Sequence, residues 1–171
     1  MLIISDTNIL SSFAAADSLF LLARLFPNNK IFIPPVVEAE LVAGVAHGKS
    51  YLATVLQAIK FNEIEILTLS LPEKLLSQTL PNRLNPGECE AIALAQKRQG
   101  RLLSNDQRAV RYCNQQQIEV LDLTDLLRLL WLQRVLSPNE VKQLITRMEQ
   151  VEKLSLTPQQ RVIIFAPRRV K

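Results

Sequence analysis

Short apolar runs alternate with helix-forming stretches along most of this chain, and that alternation limits the fold more than any other feature. Residues 2–5, 30–33, 63–69, 101–104 and 118–121 each read as a strand. Between them lie segments with helical spacing of apolar residues. These are Asp17 to Phe26, Pro35 to Gly44, residues 50–60, Pro72 to Leu80, Pro86 to Gly100 and Asp106 to Gln116. In the first of these, Leu19, Leu22, Ala23 and Phe26 fall on one face. Strands that are apolar throughout need cover on both faces, and strands separated by helices join as parallel neighbours. The expected fold class is therefore α/β: three layers, α/β/α, around a central, mainly parallel sheet. From Thr124 onward the pattern is purely helical: Thr124 to Gln133, Pro138 to Lys153, and a short helix from Pro158. Ser137-Pro138-Asn139-Glu140 and Thr157-Pro158-Gln159-Gln160 both have the form of a capping box with Pro at the first helical position. The chain divides on this reading into a core, 1–122, and a helical C-terminal extension, 123–171, packed on it. Pro167 to Lys171 is expected to fray.

A chain of 171 residues with 48% hydrophobic and 5% aromatic content builds one domain with an aliphatic core. Cys89 and Cys113 are its cysteines and His47 its one histidine. That inventory excludes a zinc site of Cys and His ligands and leaves a Ser-His-Asp enzyme almost no support. Unpaired cysteines suit a reducing, cytoplasmic location. No apolar run approaches the ~20 residues that span a bilayer, so no membrane is expected. No basic segment precedes the first strand, so no signal peptide is expected either. A net charge of +4 is compatible with a polyanionic partner and identifies none.

Acidic residues recur where strands end or helices begin. Asp6 follows the first strand, Glu38 and Glu40 follow the second, Glu88 and Glu90 open the helix after Pro86, and Asp106 follows Leu102-Leu103-Ser104. In an open parallel sheet the carboxyl ends of the strands form the ligand crevice. Acids gathered there repel one another unless a cation sits among them, and all-oxygen sites suit Mg²⁺ or Mn²⁺. Plainer roles stay open for each. Asp6 and Asp106 can be helix caps, Glu88 and Glu90 favour a helix N-terminus, and Glu40 can face solvent. Glu38, two residues from Glu40, belongs to another, solvated face. Basic residues collect around Asp106. Arg108 and Arg111 share a helix face and, with Arg101, are the candidate contacts to a phosphate backbone. Tyr112 stands alone, so no base-stacking platform is legible.

In order along the chain, Ser5-Asp6-Thr7-Asn8, Val37-Glu38-Ala39-Glu40-Leu41, Leu84 to Ala95 (LNPGECEAIALA) and Leu102-Leu103-Ser104-Asn105-Asp106 resemble the motifs of the PIN-domain family of metal-dependent ribonucleases. The resemblance implies a PIN-like nuclease core in which Asp6, Glu40, Glu88 and Asp106 are the catalytic acids and metal ligands. Thr7, Asn8, Ser104 and Glu90 are then supporting groups, and Mg²⁺ or Mn²⁺ is the cofactor. It further implies an endoribonuclease, the toxin of a toxin–antitoxin pair, with RNA as substrate, a cognate antitoxin as partner and a homodimer as the assembly. Asn105 stands where one prokaryotic branch often has a second Asp, and Val110 where it often has an Arg. Asn105 keeps a second reading in view, a catalytically weak or inert PIN-like module that binds RNA or protein. A phosphotransfer receiver would want an acceptor Asp on a middle strand and a late Lys, neither of which is evident. Leu126 to Leu132 is apolar nearly all round, which suits a core helix or a two-fold interface; Val162 to Phe165 is a similar candidate.

Overall fold

The structure, a computed structural model, describes residues 1–152 and 154–167. Its centre is a five-stranded, all-parallel sheet in the order β3-β2-β1-β4-β5. The strands are β1 (Ile3–Ser5), β2 (Ile31–Ile33), β3 (Ile64–Ile66), β4 (Arg101–Leu103) and β5 (Val120–Leu121). The central strand β1 is wholly buried, while the edge strands β3 and β5 are partly exposed. Both edges are shorter than the apolar patterns 63–69 and 118–121.

Helices cover both faces, as an apolar sheet requires. On one face Ile3, Ile31, Ile33, Ile64 and Leu103 pack with α1 (Thr7–Ala15), α2 (Phe20–Leu25), α3 (Pro35–Ala46) and α4 (Ala53–Lys60). The same apolar cluster takes in Leu126, Leu127 and Leu130 of α8 (Leu123–Leu132), Val141 and Leu144 of α9 (Pro138–Glu152), and Ile164 of α10 (Pro158–Phe165). The opposite face presents Ile4 and Leu102 to α5 (Leu71–Thr79), α6 (Pro86–Lys97) and α7 (Gln107–Gln115).

Several boundaries differ from the sequence pattern. Helix α1 is unannounced by its residues, since Thr, Asn and Ser are modest helix formers. Burial of Ile9, Leu10 and Phe13 against the sheet outweighs that preference. Helix α2 starts at Phe20, because Asp17 adopts φ 51° instead of capping. Its inner face is Leu21, Leu22 and Leu25, and Ala23 is exposed. Helix α3 continues past Gly44 to Ala46. Helix α6 stops at Lys97, and the left-handed residue beyond it is Gln99 (φ 51°), not Gly100. Gly100 is needed for a different reason: a Cβ there would lie 2.9 Å from Ile4 Cδ1 and 3.1 Å from the Leu2 carbonyl oxygen.

The leucines of α8 are covered from within the chain. Leu123, Leu126, Leu127 and Leu130 are fully buried, and Trp131 Nε1 donates to the Ile164 carbonyl at 2.7 Å. The plain core reading of this helix accounts for it, so its leucines supply no argument for a two-fold contact. Both predicted capping boxes form, Ser137 with Glu140 and Thr157 with Gln160. Lys153 and residues 168–171, where fraying was expected, lie outside the described residues. No helix among the described residues is long and apolar enough to cross a membrane.

Candidate active site

Strand order reverses between β1 and β4: the chain builds outward from β1 through β2 and β3, then returns to β1's other side. Crevices form at such switch points, outside the carboxyl ends of the strands. Asp6 leaves β1 there and Asp106 follows β4, and the Asp6 N–H donates to the Leu103 carbonyl at 3.0 Å.

The two aspartates are placed by one device. Oδ1 of Asp6 accepts the Ile9 N–H at 2.9 Å, capping α1. Oδ1 of Asp106 accepts the N–H groups of Arg108 at 2.7 Å and Ala109 at 3.1 Å, capping α7. Capping satisfies helix N–H groups that have no intrahelical partner. It occupies one oxygen of each carboxylate and leaves the other to be accounted for.

Oδ2 of Asp6 is buried and has no hydrogen-bond partner. Most buried polar atoms are paired, so an orphaned carboxylate oxygen in a cleft calls for an explanation. Burial pushes the Asp6 pKa up to about 6; the Glu88 charge adds to this, while Ser104 and the Ile9 and Asn105 N–H groups oppose it. The fully buried Ser104 hydroxyl is close enough to favour the carboxylate, yet it leaves Oδ2 without a bond of proper geometry. Its oxygen accepts the Asp106 N–H at 3.3 Å. Ser104 thus touches the surroundings of both aspartates.

Glu88 is held by a reciprocal cap. Asn85 Oδ1 accepts the Glu88 N–H at 2.8 Å. Glu88 Oε2 accepts the Asn85 N–H at 3.0 Å, and Oε1 accepts from Asn85 Nδ2 at 2.8 Å. Burial raises the Glu88 pKa, the Asn85 N–H opposes this, Asp106 and Glu40 push it further up, and Arg108 counters them. Glu40, on α3, accepts from the Thr7 hydroxyl. A Cβ at position 87 would come within 2.8 Å of Glu40 Oε1, so Gly87 is what lets α6 approach the Glu40 carboxylate.

Asp6, Thr7, Asn8, Glu40, Asn85, Gly87 and Glu88 line one cleft of about 200 Å³. Asp106 does not line it; its Oδ2 accepts from Arg108 Nη2 at 3.2 Å. Among the described residues, no three Asp, Glu, His or Cys side chains converge as ligands of one ion. The convergence expected from the sequence is therefore incomplete. The cause is local: Glu40, Glu88 and Asp106 are each drawn onto a donor of their own.

A family model, DUF3368, described as a PIN domain, matches residues 2–162. The chain belongs to the PIN-domain family. A solved structure, VapBC2 from Rickettsia felis bound to a DNA fragment from their promoter, shares this PIN domain's fold with a TM-score of 0.57. The two are 19% identical, over 71% of this chain and 98% of that one. No curated protein matches the sequence.

Some sequence expectations need correction within this PIN domain. Arg101 begins β4, so it lies at the opposite end of the sheet from the acids, and it is paired with Glu119 at 2.7 Å. It is not part of the surface around Asp106. Glu90 accepts the Val36 N–H at 3.4 Å, tying α6 to the start of α3. It lines a groove of about 580 Å³ with Lys74, Pro81 and Cys89, not the acid cleft. Glu38 is half-buried, not solvated. Arg111 is exposed and its Nε donates to the Gln107 carbonyl at 3.3 Å. Two residues of the site escaped the sequence reading, Asn85 and Gly87. Asn85-Pro86-Gly87-Glu88 has the spacing of a capping box, which was the available signal for Asn85. Nothing local announces the contact of Gly87 with Glu40.

Proposed function

We propose that this PIN domain is a Mg²⁺- or Mn²⁺-dependent endoribonuclease whose catalytic acids are Asp6, Glu40, Glu88 and Asp106. The observation that carries the reading is Asp6 Oδ2: a buried, unpartnered carboxylate oxygen in a cleft whose other acidic groups are also oxygen donors. Hard divalent cations take oxygen ligands, and the donor set fits them. A cation bound there would activate water and neutralise charge on the phosphoryl oxygens. The chain's own residues do the rest. The Ile9 N–H fixes Asp6 by one oxygen and leaves Oδ2 without a hydrogen-bond partner. Thr7 orients Glu40, Gly87 leaves room for it, and Asn85 clamps Glu88. Asn8 is exposed at the cleft, where a substrate can reach it.

Within this reading RNA is the substrate, and the protein is the toxin of a toxin–antitoxin pair, with a cognate antitoxin and a second copy of the chain as partners. What supports these finer statements is family membership and the order of the motifs. A second reading, binding without cutting, is favoured by one feature: Asp106 is engaged by Arg108 and stands off the cleft. Incubating purified protein with single-stranded RNA, with and without Mn²⁺, separates the two. Metal-dependent cleavage that Asp6→Asn abolishes supports the nuclease. Binding of RNA without cleavage at any metal concentration supports the second reading.

A further inference from the structure

We infer that Arg108 is a resident counter-ion of the acid site, seated on the Asp106 oxygen that a divalent cation would use and displaced when that cation binds. The inference rests on the metal reading above. Its basis is the matched geometry of the two aspartates. Each caps a helix through Oδ1 alone. In Asp6 the second oxygen is free; in Asp106 it accepts from Arg108 Nη2 at 3.2 Å. The remaining contact, Arg108 Nε to Oδ1, is 3.4 Å long. Both are long for charge-assisted bonds, which usually run ~2.7–2.9 Å. The Arg108 side chain is 52% exposed, so its guanidinium can leave for water without unpacking anything. The backbone bonds from Arg108 and Ala109 would keep Asp106 in place after it leaves. The charge of Arg108 also reaches Glu88, so it balances more than one of the acids. Removing it frees the Asp106 Oδ2 from its side-chain partner.

The test is calorimetric titration of Mn²⁺ into the full chain, comparing the unaltered protein with Arg108→Gln, Arg108→Lys and Arg101→Gln. Exposed ion pairs are weak, so Arg108→Gln is expected to bind Mn²⁺ about three- to fivefold more tightly. Lysine keeps the charge but not the fork, so Arg108→Lys falls between. Arg101→Gln removes an equal charge at the far end of the sheet and leaves affinity unchanged. In the unaltered protein, the Arg108 Nε–H signal shifts on adding Mg²⁺ in isotope-edited NMR. Equal or weaker Mn²⁺ binding by both Arg108 variants overturns the inference and makes Arg108 a positioning residue. If no variant and no unaltered protein binds Mn²⁺, the metal reading itself falls.

Discussion

Asp6 and Glu73 each expose only 3% of their surface, Asp6 deeper in the fold than Glu73, and they behave in opposite ways. Glu73 has all its oxygens engaged. It closes a capping box with Ser70, and Arg98 clamps it through Nε at 2.6 Å and Nη2 at 3.0 Å. The Arg98 bonds lower its pKa to about 2 against the opposing effect of burial. Asp6 has one oxygen capped and one orphaned, and burial lifts its pKa to about 6. A buried carboxylate with a complete set of partners is a fastener between α5 and α6. A buried carboxylate with an incomplete set holds unfavourable free energy that a ligand can relieve, and this is how a site differs from a structural tie.

The sharpest way to break this contrast is Asp6→Asn. Metal-dependent RNA cleavage is expected to fall to background, while the protein becomes more stable near neutral pH. The sign follows from linkage. A folded-state pKa raised above 3.8 means the folded protein holds the Asp6 proton more tightly. Stability from this group is full below 3.8 and is lost as pH rises through about 6. Asparagine can still accept the Ile9 N–H and carries no charge, so a gain on the order of 2 kcal/mol is expected at neutral pH, vanishing in acid. Urea melts at both pH values check it, and an unchanged or lowered midpoint near neutrality would remove the claim that Oδ2 is uncompensated.

Arg98→Ala probes the other side. It strands Glu73 in a buried position, and a loss of about 2–3 kcal/mol is expected, moderated by Ser70 and by the one-third exposure of Arg98. Cleavage per folded molecule should not change. Because the Glu73 pKa is depressed, the tie is fully present above 4.5 and is lost as pH falls toward about 2. The difference between the unaltered protein and Arg98→Ala should therefore shrink in strong acid. A difference that is constant with pH would mean that packing, not charge, explains the loss.

Smaller effects sharpen the geometry of the cleft. Gly87→Ala forces the Glu40 carboxylate to move, since 2.8 Å is too close for a Cβ contact. The helix-propensity gain of up to ~1 kcal/mol offsets the strain. Activity is expected to drop roughly tenfold, a loss of about 1.4 kcal/mol in the transition state, with little change in melting temperature. Thr7→Val removes the hydroxyl that orients Glu40 and is expected to cost a few-fold in activity, in line with about 0.5–1.5 kcal/mol for one hydrogen bond. If Thr7→Val matches Gly87→Ala, orientation of Glu40 matters more than the space it occupies.

Much of this is legible in the sequence. The β1 apolar run followed by Asp6, and Leu102-Leu103 followed by Asp106, place both aspartates at strand exits by local pattern alone. Capping boxes at Ser137, Thr157 and, in hindsight, Asn85 are sequence-local because their partners are three residues apart. Helix α1 was illegible because its stability comes from burial of Ile9 and Phe13 and not from its own residues. The location of Arg101 was misread because distance along the chain to Asp106 is short. A parallel strand nevertheless separates them, with one residue at its start and the other beyond its end.

By itself the sequence determined the α/β class, the apolar strands, the helical tail and which acids sit at strand exits, because hydrophobic periodicity and capping act over a few residues. Only the tertiary structure decided which carboxylates are satisfied. Burial of Asp6 Oδ2, the clamp of Arg98 on Glu73, the approach of Gly87 to Glu40 and the covering of α8 by α9 and α10 all join residues far apart in the chain. Electrostatic cost depends on the whole surroundings of a charge, and those surroundings exist only once the layers have closed.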